Sequence, residues 1–376
     1  MHHYLDNSAT TKVCPEAAEA ALRAMTDIYG NPSSTHTLGR EAKKLLDASR
    51  KQVADALACT PKEIVFTSCG SESDNWAILG GAEAGKRRGK HIISSAVEHD
   101  AVRKSLDELE ARGFEVTRLK PDRTGAIPVE AVREALRPDT ILVTLMLVNN
   151  ETGAVTDLAG VSRAIKEVGS PALLHCDAVQ AFLKLPFTAK SLGAELISVS
   201  GHKIHAPKGV GALYIRNGLR LKPYILGGGQ EEGRRAGTEA MPQIAAFGAA
   251  CAIGRANLAE NAARMAGYKR EIVSRLSEAI PELRHVETAA PHILSISLPG
   301  WRSEVLMNFL EAREVYVSKS SACKKGARSH VLEAIGLDAK TIDGAIRIGL
   351  SRYTTQEDVD ALCQGLIDAH ASLRHS

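Results

Sequence analysis

The sequence lacks long apolar segments and a strong charge of one sign. No uninterrupted apolar run approaches the ~20 residues that a membrane-spanning helix needs, and no apolar signal segment follows Met1. The formal net charge is only +3 over 376 residues, which argues against a nucleic-acid-binding surface. Hydrophobic residues make up 44% of the chain and charged residues 24%, as in ordinary soluble proteins. We therefore expect a cytoplasmic protein with no membrane partner and no direct nucleic-acid binding.

The cysteines lack the spacing of a metal site or a disulfide framework. The seven cysteines are scattered and include no C-x-x-C pair, so neither a structural zinc nor a thioredoxin-type site is indicated. Most are expected to be small buried hydrophobes, as Cys176 is in the apolar run Ala172-Leu173-Leu174. Cys323 differs, because the surrounding "SKSSACKKGARSH" (318–330) is polar and positively charged. A thiol in such a setting is typical of a reactive cysteine.

Short apolar runs alternate with helical stretches from about residue 40 to 215. The runs with strand character are "EIVFT" (63–67), "HIIS" (91–94), "EVTRL" (115–119), "TILVTLMLV" (140–148), "ALLHCD" (172–177), "ELISVS" (195–200) and "GALYI" (211–215). Continuous apolar strands indicate burial on both faces, and their alternation with helices predicts an α/β domain built on a mainly parallel seven-stranded sheet.

The second part of the chain has a different pattern. An alanine-rich helical stretch runs from about Glu239 to Ala279 and is broken by Pro242 and by glycine residues, and after Pro281 short strands and helices predict a smaller α+β domain. Thr355 and Asp358 form a capping box at the start of the last predicted helix. We expect a large domain over residues 13–258 and a small domain over 1–12 and 259–376.

Polar residues that could act in catalysis or in ligand binding follow several of the predicted strands. Lys203, beside Ser200 and His202, could form a Schiff base with an aldehyde cofactor, or could be an exposed loop lysine. Asp177, with Gln180 three residues later, could pair with the protonated nitrogen of a pyridine ring, or could cap a helix.

Two further strand ends carry groups of the same kind. Gly70 and Ser71 could hold a phosphate at a helix start, or could be an ordinary cap. His99 could stack on a ring or transfer a proton, or could be structural. Four successive strand ends of this kind favour a ligand site, because open α/β sheets bind ligands at the edge where the carboxyl ends of the strands lie.

These residues belong to a longer series of motifs. The series comprises "YLDNSATT" (4–11), "YGNPSS" (29–34), "EIVFTSCGSESDN" (63–75), "VEH" (97–99), "VNNETG" (148–153), "HCDAVQ" (175–180), "SGHKIHAPKG" (200–209), "GGGQEEGRRAGT" (227–238), "SSAC" (320–323) and "IRIGLSRYTT" (346–355). With these motifs the sequence resembles, nearly end to end, the class V aminotransferases of the fold-type I pyridoxal phosphate (PLP) enzymes, and closely the NifS/IscS-like cysteine desulfurases.

The resemblance implies a role for each matching position. Around the PLP ring it places Lys203 as the covalent anchor, Asp177 at the ring nitrogen, Gln180 at the ring hydroxyl and His99 stacked on the ring. Around the phosphate it places Gly70, Ser71, Ser200 and His202, with Thr238 reaching across from the partner subunit of a homodimer. Asn150 and Arg352 would hold the substrate carboxylate, for which a guanidinium group is well suited, and Cys323 would be the nucleophile.

The implied reaction converts L-cysteine to L-alanine and leaves the sulfur on Cys323 as a persulfide. An unidentified acceptor protein would then take the sulfur for iron–sulfur clusters or tRNA thiolation. One alternative is a selenocysteine lyase or another class V PLP lyase or aminotransferase. The non-enzymatic alternative is a sulfur-relay partner without turnover.

The sequence departs from the family pattern near the nucleophile. Lys319 and Ser320 stand where relatives have small residues, and only five residues separate Cys323 from Ser329, where scaffold-binding relatives have a longer segment. A short connection reaches less far, at ~3.3–3.6 Å per extended residue, so it restricts direct delivery to a bulky scaffold. Ala206 replaces a glycine, which matters only if the position needs a positive φ.

Two expectations concern cysteine chemistry. Cys14 stands where relatives usually carry an acid, and we expect a structural or incidental role for it. The cations around Cys323 could lower the pKa of its thiol, or could form a solvated loop or a docking patch for an acidic acceptor. These cations are Lys319, Lys324, Lys325 and Arg328.

Overall fold

The computed structural model describes residues 2–320 and 328–373. Within these ranges the strands are β1 (His3–Tyr4), β2 (Ile64–Thr67), β3 (His91–Ser95), β4 (Glu115–Leu119), β5 (Thr140–Met146), β6 (Leu173–Asp177), β7 (Leu196–Ser200), β8 (Gly211–Ile215), β9 (Arg284–His285), β10 (Ile293–Ser297), β11 (Val315–Tyr316), β12 (Ser318–Lys319) and β13 (Ala345–Gly349).

The helices of the same ranges are α1 (Pro15–Thr26), α2 (Thr37–Leu57), α3 (Gly70–Gly85), α4 (Asp100–Ala111), α5 (Val129–Ala135), α6 (Leu158–Glu167), α7 (Ala189–Leu192), α8 (Met241–Ala256), α9 (Leu258–Ala279), α10 (Ser303–Glu311), α11 (His330–Ala334), α12 (Ala339–Asp343) and α13 (Gln356–Ser372). None of them is both long and apolar enough to cross a membrane.

The large sheet has seven strands in the order β2-β8-β7-β6-β5-β3-β4. All neighbours pair in parallel except β8, which runs antiparallel to β2 and β7. Every residue of β2, β3, β5, β6, β7 and β8 is buried, because helices cover both faces of the sheet. The predicted strands and the mainly parallel seven-stranded sheet are therefore confirmed.

A second, smaller sheet is antiparallel in the order β12-β13-β10-β9. The N-terminal strand β1 pairs in parallel with β11 beside it, so the start of the chain joins the C-terminal part. This part has its own hydrophobic cluster, which includes Trp301, Leu306 and Leu362. The predicted smaller α+β unit is thus present, while its boundaries at residues 12 and 258 stay a prediction.

The alanine-rich stretch forms two helices, and the position of its break differs from the prediction. Pro242 lies in the first turn of α8, where a missing N–H costs nothing, and α8 gives way to α9 at Asn257. The capping box at the start of α13 is confirmed, since the Thr355 hydroxyl accepts from the Asp358 N–H while the Asp358 carboxylate accepts from the Thr355 N–H.

Candidate active site

A cavity of about 420 Å³ lies at the carboxyl edge of the large sheet. It forms there because β2, β3, β5, β6 and β7 run in one direction and end at the same edge. Nine of the predicted site residues line it: Gly70, Ser71, His99, Asn150, Asp177, Gln180, Ser200, His202 and Lys203. Residues more than a hundred positions apart in the chain are therefore brought together by the parallel order of the strands.

Lys203 lies in the turn that follows β7. Its Nζ donates hydrogen bonds to the carbonyl oxygens of Ser8 and Ala9, at 2.7 Å each. These carbonyls belong to the N-terminal segment, which crosses from the smaller sheet. The amine is thus held at the cavity wall, where it is placed to react with an aldehyde bound in the cavity.

Asp177 is the last residue of β6 and is buried at the base of the cavity. Its Oδ1 accepts a hydrogen bond from the Val179 N–H at 2.9 Å. Burial raises the pKa of this carboxyl group, while the Val179 N–H and the positive charges of His99 and Lys203 oppose the rise. A cationic ring nitrogen in the cavity would further favour the ionised carboxylate.

Two more buried carboxyl groups, those of Asp74 and Glu98, interact with Asp177, and sequence reasoning missed both. Burial raises the pKa of Asp74 well above its ordinary value, and it raises the pKa of Glu98 to about 8. One oxygen of each has no hydrogen-bond partner among the described residues. The sequence contained a signal for both, since Asp74 lies in "SCGSESDN" and Glu98 precedes His99. Burial therefore favours the neutral forms of Asp74 and Glu98, whereas the nearby Lys203 opposes the effect of burial at Asp177.

The start of α3 forms a recess next to β7. A Cβ atom on Gly70 would lie 2.8 Å from Val179 Cγ2 and 3.4 Å from Ser200 Cβ, so only glycine leaves this space open. The buried Ser200 hydroxyl has no hydrogen-bond partner in the described part of the chain. Ser71 follows in the first turn of the helix, where backbone N–H groups lack intrahelical acceptors. A free hydroxyl and a helix N-terminus together suit a phosphate group.

His202 and His99 are fixed by hydrogen bonds on their Nδ1 atoms. His202 Nδ1 lies 3.2 Å from Thr10 Oγ1, and burial together with Lys203 lowers the pKa of this imidazole to about 4. His99 Nδ1 accepts from the Ala101 N–H at 3.1 Å, which leaves the proton of the neutral ring on Nε2. Both rings are therefore oriented before any ligand enters.

Arg347 is a further cavity residue that sequence reasoning missed, although it lies in the quoted motif "IRIGLSRYTT". It is only 3% exposed, and its guanidinium group donates to the Asn150 carbonyl at 2.9 Å, to the Ser318 hydroxyl at 2.9 Å and to Asp6 at 3.2 Å. It therefore holds the turn that carries Asn150 against the strand that leads towards residue 321.

Arg352 is not among the described residues that line the cavity. Its guanidinium carbon lies 5.2 Å from the centre of the Tyr353 ring, and the side chain packs beside Gly254 of α8. Two buried nitrogen atoms, Nε and one Nη, have no hydrogen-bond partner in the described ranges. The arginine thus has unpartnered donors, and its role at the substrate carboxylate stays a prediction.

Two predicted residues remain, Thr238 and Cys323. Thr238 is exposed and away from the cavity of its own chain. Cys323 lies outside the described residues, together with Lys324 and Lys325. Of the cations expected to act on its thiol, Lys319 is paired with Glu304 at 2.6 Å and Arg328 with Asp343 at 2.7 Å. A carboxylate therefore offsets each of these two charges, and the effect on the thiol pKa stays a prediction.

The structure describes the surroundings of two departures from the family pattern. The positive φ in the segment after Lys203 belongs to His205, at 72°, and not to Ala206, so alanine is tolerated there. Cys14 is buried and immediately precedes α1, without a side-chain hydrogen bond to the helix. The expectation that Cys176 is a small buried hydrophobic residue is confirmed, because it is fully buried in β6.

Comparisons with known proteins agree along the length of the chain. The family model described as aminotransferase class-V matches residues 3–362. A protein of Methanosarcina thermophila named cysteine desulfurase IscS is 40% identical, over 99% of this chain and 93% of its own length. A protein of the same name from Escherichia coli O139:H28 is 41% identical, over 95% and 90%.

Solved structures agree as well. A structure titled NifS-like protein has a TM-score of 0.93 at 37% identity, covering 99% of this chain and 100% of its own. A structure titled SspA in complex with cysteine has a TM-score of 0.81 at 32% identity, covering 94% and 99%. With the lysine, the carboxylate and the glycine recess at the sheet edge, these matches show that the chain belongs to the class V aminotransferase family, alongside the cysteine desulfurases.

Proposed function

We propose that this protein is a cysteine desulfurase, which converts L-cysteine to L-alanine and retains the sulfur as a persulfide on Cys323. The observation that carries the proposal is that the Lys203 amine and the Asp177 carboxyl group line one cavity, together with seven other residues predicted for the site. Full-length relatives named cysteine desulfurase support the same activity.

PLP is the cofactor that these residues fit. The Gly70 recess and the unpartnered Ser200 hydroxyl suit its phosphate, Asp177 suits its ring nitrogen and Lys203 suits its aldehyde. His99 would lie against the ring and Gln180 at its hydroxyl group. When bound, PLP withdraws electrons from the substrate, so that bonds at the α carbon become labile.

The chain's own residues then bind the substrate and move protons. Asn150 and Arg352 bind the carboxylate of L-cysteine, and the two unpartnered nitrogen atoms of Arg352 are available for a bidentate contact. The Lys203 amine would take the proton from the α carbon. His99 would exchange protons through Nε2, because Nδ1 is already used as an acceptor.

Cys323 is the proposed nucleophile. Its thiolate forms a bond to the sulfur of the substrate while the bond between that sulfur and the β carbon breaks. The enzyme cysteine becomes a persulfide, and protonation of the three-carbon fragment gives alanine. The reaction balances without an external oxidant, because the β carbon keeps the electron pair of the broken carbon–sulfur bond and is reduced as the two sulfur atoms are oxidised.

A homodimer would complete the cofactor site. Thr238 is exposed and remote from the cavity of its own chain, as expected for a residue that serves the partner subunit. Leu226, in the same segment, is 84% exposed, and Leu22, Met25 and Tyr29 are further large apolar side chains at the surface. Light scattering would measure the dimer, and Thr238→Val should weaken PLP binding without changing its mass.

Absorption and product formation test the proposal. The purified protein should be yellow, and Lys203→Ala should lose the reducible covalent link to PLP. Lys208→Ala is the matched control, because Lys208 is an exposed lysine in the same segment. A colourless parent that cannot be loaded with PLP would overturn the cofactor assignment.

The nucleophile needs its own test. Cys323→Ala should stay yellow but should form neither alanine nor persulfide from L-cysteine, whereas Cys59→Ala should keep both. Full desulfuration by Cys323→Ala would rule out this mechanism, and a yellow parent without turnover would favour a sulfur-relay protein. Mass spectrometry of Cys323 after L-cysteine addition, followed by incubation with candidate acceptors, would identify the acceptor that discharges the persulfide.

A further inference from the structure

Lys184 is a buried lysine that the proposed reaction does not use. It follows β6, four residues after Gln180, and is only 6% exposed. Its Nζ lies 3.4 Å from Gln180 Oε1 and forms no ion pair with a carboxylate in the described part of the chain. Burial of an ammonium group without a carboxylate is costly, so its presence here calls for a compensating acceptor or anion.

The charged neighbours of Lys184 make this cost larger. Burial, followed by the positive charges of Lys203 and Arg347, lowers the pKa of Lys184 to about 7. The other titratable groups that Lys184 affects are the imidazoles of His202, His205 and His292. Lys184 therefore has cationic rather than anionic neighbours, and the acceptor that favours its ammonium form is Gln180 Oε1.

Lys184 also determines which way the Gln180 amide faces. Gln180 Nε2 donates to the Ser8 carbonyl at 2.9 Å, while Oε1 faces the Lys184 ammonium. Rotation of the amide by 180° would place the N–H groups against the ammonium and Oε1 against the Ser8 carbonyl. Both contacts would be repulsive, so the orientation is fixed by its partners. One hydrogen on Nε2 remains available, and Gln180 lines the cavity.

We propose that Lys184 is a positioning residue for Gln180. It keeps the Gln180 N–H groups directed away from itself, so that one of them can donate to the anionic ring oxygen of the cofactor. The inference rests on the proposed function, because it assumes that the cavity binds PLP. It adds a residue whose effect on the cofactor passes through another side chain.

A double-mutant cycle on PLP affinity tests the inference. The holoenzymes of the parent, Lys184→Met, Gln180→Ala and the double variant would be converted to apoenzymes. PLP would then be titrated into each to measure its dissociation constant. Lys184→Met should weaken PLP binding about tenfold, which corresponds to ~1.4 kcal/mol. In the Gln180→Ala background the same change should have less than about a twofold effect, because the contact that it supports is already absent.

Lys269 provides the matched control for loss of a buried lysine. Its Nζ donates to the carbonyl oxygens of Thr288 and Ala290 at 2.8 and 2.9 Å, and burial lowers its pKa to about 8. It does not line the cavity in the described ranges, so Lys269→Met should leave PLP affinity unchanged. If Lys184→Met does not fold, Lys184→Leu replaces it, and its affinity should still fall because no donor then faces Gln180 Oε1.

The outcomes separate the two proposals. Parent-like affinity in Lys184→Met, or a full tenfold loss in the Gln180→Ala background, would overturn the role of Lys184 while leaving the cofactor assignment intact. Failure of the parent itself to bind PLP would instead refute the proposed function.

Discussion

The ion pair between Arg50 and Glu231 should be a main support of the segment that carries Thr238. Two guanidinium nitrogens of Arg50 donate to the two carboxylate oxygens of Glu231 at 2.7 Å each, and one of them also donates to the Ile64 carbonyl at 2.9 Å. The Phe66 N–H donates to the same carboxylate at 3.0 Å. The pair therefore ties α2, the edge strand β2 and the turn at Glu231 together.

Removal of the arginine would leave the carboxylate buried without a counter-charge. The Glu231 side chain is only 3% exposed and that of Arg50 13%, so water does not replace the lost partner. We expect Arg50→Met to lower the free energy of unfolding by about 3–5 kcal/mol, the range for breaking a buried pair from one side. Glu231 also has φ of 49°, and the ion pair offsets the cost of that left-handed backbone.

Equilibrium unfolding in urea, followed by circular dichroism at pH 7, would measure this change. The double variant Arg50→Met/Glu231→Gln should regain most of the loss, because it buries no unpaired charge and the glutamine oxygen can still accept from Phe66. Lys43→Met is the control on the same helix, since its pair with Asp47 is exposed and should contribute less than about 0.5 kcal/mol. If Arg50→Met costs no more than Lys43→Met, the reasoning is wrong.

Three further changes test other parts of the structure. The pKa of Glu98 is raised from 4.5 to about 8, so the folded state keeps a proton that the unfolded state releases, and stability should fall as pH rises between these values. Glu98→Gln should remove that part of the pH dependence; unfolding curves identical to those of the parent at every pH would contradict it. Ser329→Ala removes both the cap of α11 and the donor to Glu151, and should cost about 2 kcal/mol, more than Asp338→Ala, which removes the cap of the next helix. Thr355→Ala should cost about 1 kcal/mol through loss of the α13 capping box, and an unchanged melting temperature would argue against that contribution.

Much of the site could be predicted because local sequence and strand direction are coupled. An apolar run that ends in a polar residue specifies a strand end, and parallel strands bring their ends to one edge, as for Asp177 and Lys203. The resemblance to a family then assigned roles to the positions. The helix break was misplaced at Pro242 because the pattern does not show whether a proline lies inside a helix or in its first turn.

The sequence by itself determined the order of strands and helices, the two-part organisation and nine residues of the cavity. These follow from hydrophobic periodicity and from motifs, which are local properties of the chain. Only the tertiary structure decided which charged side chains lose their contact with water. Glu98, Lys184 and Arg347 have ordinary sequence surroundings, yet packing of distant segments buries each of them. Their protonation and partners depend on that burial, because the free energy of a charge is set by its three-dimensional neighbours rather than by its position in the chain.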